Sequence, residues 1–104
     1  MVRHRFHFVP ALGHFNEGVQ WVKDLNAACE AAGCAQARLW AESFGPVNQC
    51  VLETDHADIA AYAANQDRFN SNAEVMRVFR SGIEIAAAGD HPWDELLEEA
   101  PVLA

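Results

Sequence analysis

Residues 2–9 alternate between the two faces of an extended chain. His4, Phe6 and Phe8 fall on one parity, and Arg3, Arg5, His7 and Val9 on the other. A period of two predicts a strand, ended by Pro10 and Gly13. Phe15, Val19, Val22, Leu25, Cys29 and Ala32 then recur at helical spacing over residues 15–32, with Gly33 where a left-handed C-terminal residue is wanted. Residues 35–44 and 48–54 are two further strands joined by a hairpin turn at Gly45-Pro46-Val47. Asp55, with Asp58 three residues on, predicts the start of a helix through Ile59, Tyr62, Ala63 and Phe69. Ser71 and Glu74 form a capping box for another helix, with Val75, Met76, Phe79, Ile83 and Ala87 on one side and Gly89 at its end. The tail, residues 90–104, has two readings. Asp90 before Pro92 looks locally like a helix start, whereas a strand around 94–102 would complete a sheet.

Strand, helix, strand, strand, helix, helix and a closing strand, joined by right-handed crossovers, give an α+β ferredoxin-like fold: an antiparallel sheet with helices on one face. The 104 residues make a single domain, 1–104, with no internal repeat or linker. The uncovered sheet face needs a cover, and a second copy of the chain is the simplest one, so a homodimer is expected. Seven basic against 15 acidic residues, a net charge of −8, argue against nucleic acid and anionic membrane surfaces as partners. The charge is uneven. The first strand is basic, while the residues after Arg80 carry acids and no Lys or Arg, which suits neighbouring strands or a shared interface. No apolar run reaches the ~20 residues that span a bilayer. The N-terminus lacks a signal-peptide pattern and Cys29, Cys34 and Cys50 read as reduced thiols, so a cytoplasmic setting is expected.

Three features together resemble a known family. Arg5 lies in a first strand ending Val9-Pro10-Ala11-Leu12-Gly13, an amphipathic helix follows, and the hairpin Phe44-Gly45-Pro46-Val47-Asn48-Gln49 leads to Glu53 and Asp55. These resemble the NIPSNAP-like branch of the dimeric α/β-barrel superfamily. The resemblance implies homodimers whose sheets form a barrel, with a ligand cavity between sheet and helices in each subunit. Relatives include cofactor-independent monooxygenases of antibiotic biosynthesis, polyketide cyclases, muconolactone isomerases and haem-degrading oxygenases. Such chains usually carry an aromatic residue near the end of the third strand, where this one has Val51-Leu52-Glu53-Thr54.

Candidate chemistry lies on the strands. With Pro46-Val47 as a two-residue loop, Arg38, Trp40, Glu42, Gln49 and Glu53 share a face, to which the first strand adds Arg5 and His7; a three-residue loop would move Glu53 off it. This set offers Glu53, His7 and, from the loop before the first helix, His14 as general acid–base groups. Arg5, Arg38, Trp40 and Glu42 would bind a planar substrate. The same residues could equally be cross-strand or interface ion pairs. His4 and His7 point to opposite faces, and no HxH, HxxxH or Cys–His spacing occurs, so neither metal nor other cofactor is expected. Trp21, off the main helical stripe, is a candidate for facing a partner. Two functions stay open. One is a small cofactor-independent enzyme, an oxygenase, cyclase or isomerase, acting on an aromatic, polyketide-like or lactone-like molecule. The other is a non-catalytic homodimeric module that binds a small ligand or a protein.

Overall fold

The computed structural model of the chain describes residues 1–102. The alternating first segment is strand β1, Val2–Phe8, and the helical stripe is α1, Phe15–Ala32. Gly33 ends α1 at φ 75°, and the N–H groups of Gly33 and Cys34 reach back to the carbonyls of Glu30 and Cys29. This closure needs a left-handed residue, which glycine adopts without steric cost. Strands β2 (Arg38–Ala41) and β3 (Cys50–His56) form the hairpin; helices α2 (Ile59–Ser71) and α3 (Ala73–Ser81) follow, and the tail is strand β4, Trp93–Glu98. The sheet is antiparallel in the order β2-β3-β1-β4. The basic first strand therefore runs between β3 and the acidic last strand, with Arg5 opposite Glu53 on one side and Glu95 on the other.

The helices cover the face that carries His4, Phe6, Phe8, Cys50 and Leu52. Phe8, Cys50 and Leu52 are buried there with Trp21, Val22, Leu25 and Cys29 of α1 and Val75 and Val78 of α3. Phe6 and Leu39 pack against the same cluster. These apolar side chains lie under the helices, and the uncovered face is the charged one.

Several local expectations are corrected. The cap of α2 is Asp58, whose carboxylate accepts from the Ala61 N–H at 2.8 Å, while Asp55 stays in β3. The cap of α3 is Asn72, accepting from the Val75 N–H at 3.0 Å, one residue after Ser71. Helix α3 stops at Ser81 and a single 3₁₀ turn, Gly82–Glu84, follows, so Ile83 is 82% exposed and Ala87 lies beyond the helix. Gly89, at φ 78°, sits in the turn before β4 and closes no helix. Trp21, a candidate for facing a partner, packs inside the chain. It is buried, its indole N–H donates to the Val78 carbonyl at 2.8 Å, and its ring lies where a Gly82 Cβ would be. The hairpin loop is longer than two residues, since Ala41 pairs with Cys50 and the Glu42 N–H donates to the Gln49 carbonyl. This moves the register by two positions and so keeps the paired residues of β2 and β3 on their expected faces.

Candidate functional site

On the face turned away from the helices, β1 contributes Arg3, Arg5 and His7, β2 Arg38 and Trp40, β3 Val51, Glu53 and Asp55, and β4 Trp93 and Glu95, all at facing register positions. Glu53 is the hub. Its side chain is 4% exposed; Arg5 Nε donates to Oε2 at 2.9 Å, Arg38 Nη2 donates to Oε1, and Arg3 Nε stands 3.6 Å away. Asp55 accepts from Arg3 Nε at 2.8 Å and Arg38 Nη2 at 3.0 Å. Beside them the His7 ring stacks flat on Trp93, centroids 3.7 Å apart, with Nε2 3.1 Å from Glu95 Oε1. Arg3, Arg5, His7, Trp40, Val51 and Glu53 line a shallow recess.

Arg5, His7, Arg38, Trp40 and Glu53 are therefore brought together. Glu42 and His14 are not. The Glu42 carboxylate folds over the hairpin loop against Gly45, and His14 lies before α1, 2.9 Å from Glu17. The electrostatics of Glu53 differ from those of a general base. Burial alone would raise its pKa, but the hydrogen bonds from Arg38 and Arg5, the Arg3 charge and the Trp40 indole outweigh it and hold the carboxyl below its usual range. Asp55 is pulled down to about 2, mainly by its hydrogen bond from Arg3. Both carboxylates stay ionised and engaged at neutral pH, and their hydrogen bonds tie three strands together.

A second constellation lies on the helix side. A cavity of about 210 Å³ opens between the sheet and the three helices, walled by Phe6, Leu25, Cys29, Leu52, Phe69 and Phe79. His4 and Asp94 stand at its margin, with His4 Nε2 2.7 Å from Asp94 Oδ1. Behind them the His4 and His56 rings both pack on Tyr62, and Thr54 Oγ1 lies 2.9 Å from His56 Nε2. Burial, together with the neighbouring His4, lowers the His56 pKa, and burial raises that of Tyr62. Both are therefore neutral near pH 7. The polar side chains of the cavity are partly committed elsewhere: Asn26 bridges both backbone groups of Ala37, and Asn65 Oδ1 accepts from the Ala35 N–H. The alternation of the first strand puts His4 on the face of Phe6 and Phe8, but local pattern shows no partner for it, because Asp94 lies 90 residues away in the tail. Among the described residues no three His, Cys, Asp or Glu side chains are grouped to hold a metal ion, and no helix is long and apolar enough to cross a membrane.

No family model matches the chain, and no curated protein matches it. Solved structures do. An uncharacterised NIPSNAP domain protein from Burkholderia xenovorans superposes with a TM-score of 0.79 at 16% identity, covering 100% of this chain and 99% of that one. A NIPSNAP family protein from Agrobacterium tumefaciens gives 0.74 at 11% identity, over 97% and 94% of the two chains. An antibiotic biosynthesis monooxygenase gives 0.71 at 11% identity, over 97% and 100%. At such identities the likeness speaks for the fold. The chain has the α+β ferredoxin-like fold of these NIPSNAP and antibiotic biosynthesis monooxygenase structures.

Proposed function

We propose that the chain binds a small, planar, largely apolar molecule in the cavity between sheet and helices and moves a proton on it through His4, with no cofactor. The observation that carries this reading is the His4–Asp94 pair at the margin of an aromatic-walled cavity. A volume of about 210 Å³ suits one or two fused rings, since a cavity of roughly 150 Å³ holds benzene. With Nε2–H donated to Asp94, the imidazole keeps its lone pair on Nδ1, the nitrogen that takes the proton in this reading. This is the general-base half of an oxygenase, cyclase or isomerase reaction on an enolisable or phenolic substrate. One structural neighbour is an antibiotic biosynthesis monooxygenase, and an oxygenase is among these reaction classes. The clamped Glu53 contributes no acid–base step to this reading.

A bicyclic ketone such as 2-tetralone tests it. In D₂O the protein is expected to speed exchange of the acidic α-hydrogens above the buffer rate. His4→Gln should remove about a hundredfold of that acceleration while leaving the urea midpoint near wild type. A wild-type rate equal to buffer, or a His4→Gln variant as fast as wild type, would sink the reading.

The uncovered sheet face supports a homodimer as part of the same proposal. Trp40 and Trp93 are 54% and 50% exposed on it, beside the partly exposed Leu97 and the arginine–carboxylate network. A second copy would remove these rings from water, and large aromatic residues with arginine are enriched at interfaces. Sedimentation at micromolar concentration is expected to give twice the 11.5 kDa chain mass, and Trp40→Glu should shift the species toward the monomer. A wild-type monomer under these conditions would refute the dimer.

A further inference from the structure

A second, larger hollow lies on the same side of the sheet, past the Phe6–Phe79 contact that separates it from the His4 cavity. It encloses about 590 Å³, inside the range of small-molecule sites. Its floor is aromatic. Phe8 and Trp21 meet edge to face at 5.3 Å, Trp21 and Phe79 lie 6.0 Å apart, and Ile85 and Pro92 complete the wall. Ile83 stands on its lip, 82% exposed on the 3₁₀ turn where α3 gives out.

Two charged residues line the hollow, Arg80 and Asp90. Asp90 has structural work. Its Oδ2 accepts from the Val9 N–H at 3.0 Å, and its own N–H donates to the Ala87 carbonyl, so it fixes the exit of β1 against the chain entering β4. Arg80 has none. The other arginines Arg3, Arg5, Arg38 and Arg77 are engaged by carboxylates, and Arg68 donates to the Gly33 carbonyl. Arg80 has no ion pair or side-chain hydrogen bond among the described residues, although it is the last cation before a strongly acidic tail. An exposed guanidinium with no protein partner among the described residues, at the edge of an apolar hollow, is the complement of an amphiphile with a planar anionic head, since its fork matches a carboxylate in two parallel hydrogen bonds.

We propose that this hollow is a binding site for an amphiphilic carboxylate, with the acyl or aryl body on Phe8, Trp21, Phe79 and Ile83 and the carboxylate on Arg80. The site is distinct from the His4 cavity and does not depend on the function proposed for it. Decanoate, decanol and decyltrimethylammonium share one chain and differ in head group, so they separate Arg80 recognition from plain greasiness and from attraction to Asp90. By calorimetry at pH 8, decanoate is expected to bind about tenfold more tightly than decanol, and the cation most weakly. The Trp21 indole N–H resonance should move on titration. Arg80→Gln, on an exposed position, should weaken decanoate about tenfold and leave decanol unchanged, and His4→Gln should leave both unchanged. Ile83→Asp should weaken every ligand that binds. The proposal is overturned if decanol or the ammonium compound binds as well as decanoate, if Arg80→Gln leaves decanoate affinity intact, or if His4→Gln lowers it as much as Arg80→Gln does.

Discussion

Replacing Trp21 with alanine is expected to cost about 3–5 kcal/mol of folding free energy, read as a lower urea midpoint with an unchanged slope. Trp21 is the largest side chain buried in the core and touches each layer of it. Its ring meets Phe8 of the sheet and Phe79 of α3, and its indole N–H donates to the Val78 carbonyl. Truncation would open a void between sheet and helices and also leave that carbonyl without its donor. Trp21→Phe keeps most of the apolar contact and loses the hydrogen bond, so its cost should be roughly 1–3 kcal/mol. The ring also explains Gly82. A Cβ there would stand 2.8 Å from Trp21 Cε2, so Gly82→Ala overpacks the site, at about 1–3 kcal/mol. The two positions share one volume, and the double variant Trp21→Phe with Gly82→Ala should be less destabilised than the sum of its parts. Strict additivity, or a Trp21→Ala cost under about 1 kcal/mol, would show that this packing does not hold the layers together.

The same ring marks where local sequence patterns stopped being sufficient. The spacing from Phe15 to Ala32 identified α1 and its glycine stop because both are local features. The spacing that ran on from Phe79 to Ile83 and Ala87 did not identify a helix: α3 gives way to a 3₁₀ turn at Gly82, a residue packed against a side chain 61 positions earlier in the chain. Strand β4 shows the opposite case. Trp93–Glu98 has a poor strand composition, rich in acids, but the basic edge of β1 supplies Arg5, Arg3 and His7 opposite Glu95, Leu97 and Trp93. Charge complementarity between the chain's two ends was legible; that it took the form of a strand was a tertiary outcome. For the candidate site, parity sorted the polar face correctly and even survived a wrong loop length, since a two-residue shift preserves faces. What parity could not show was how crowded Glu53 is, with arginines from two strands closing on one carboxylate. Nor could it show that the other face leaves a cavity beside His4.

Removing the Glu53 carboxylate should destabilise the fold by about 3 kcal/mol, the low end of the range for breaking a buried ion pair. The carboxylate itself is almost fully buried, and Glu53→Ala leaves Arg3, Arg5 and Arg38 converging on an empty position. Two things keep the cost from being larger. The arginines are partly exposed, so water screens their repulsion, and each keeps a second anion: Asp55 for Arg3 and Arg38, Glu95 at 3.6 Å for Arg5. The pH dependence gives an independent check. Folding lowers the pKa of both Glu53 and Asp55, so the unfolded chain binds more protons than the folded one as the medium is acidified. The stability from these carboxylates is fully present above their unfolded values, about pH 4. It is lost as pH falls through the folded values, that of Asp55 being about 2. Wild type should therefore lose stability steeply between about pH 4 and pH 2. Glu53→Ala, lacking one of the two depressed carboxyls, should lose it less steeply. The two stability curves, measured by urea unfolding at successive pH values, should converge toward the acid end, because a protonated Glu53 no longer holds the arginines. A gap that stayed constant down to about pH 2 would mean that Glu53 stabilises the sheet by its packing and not by its charge.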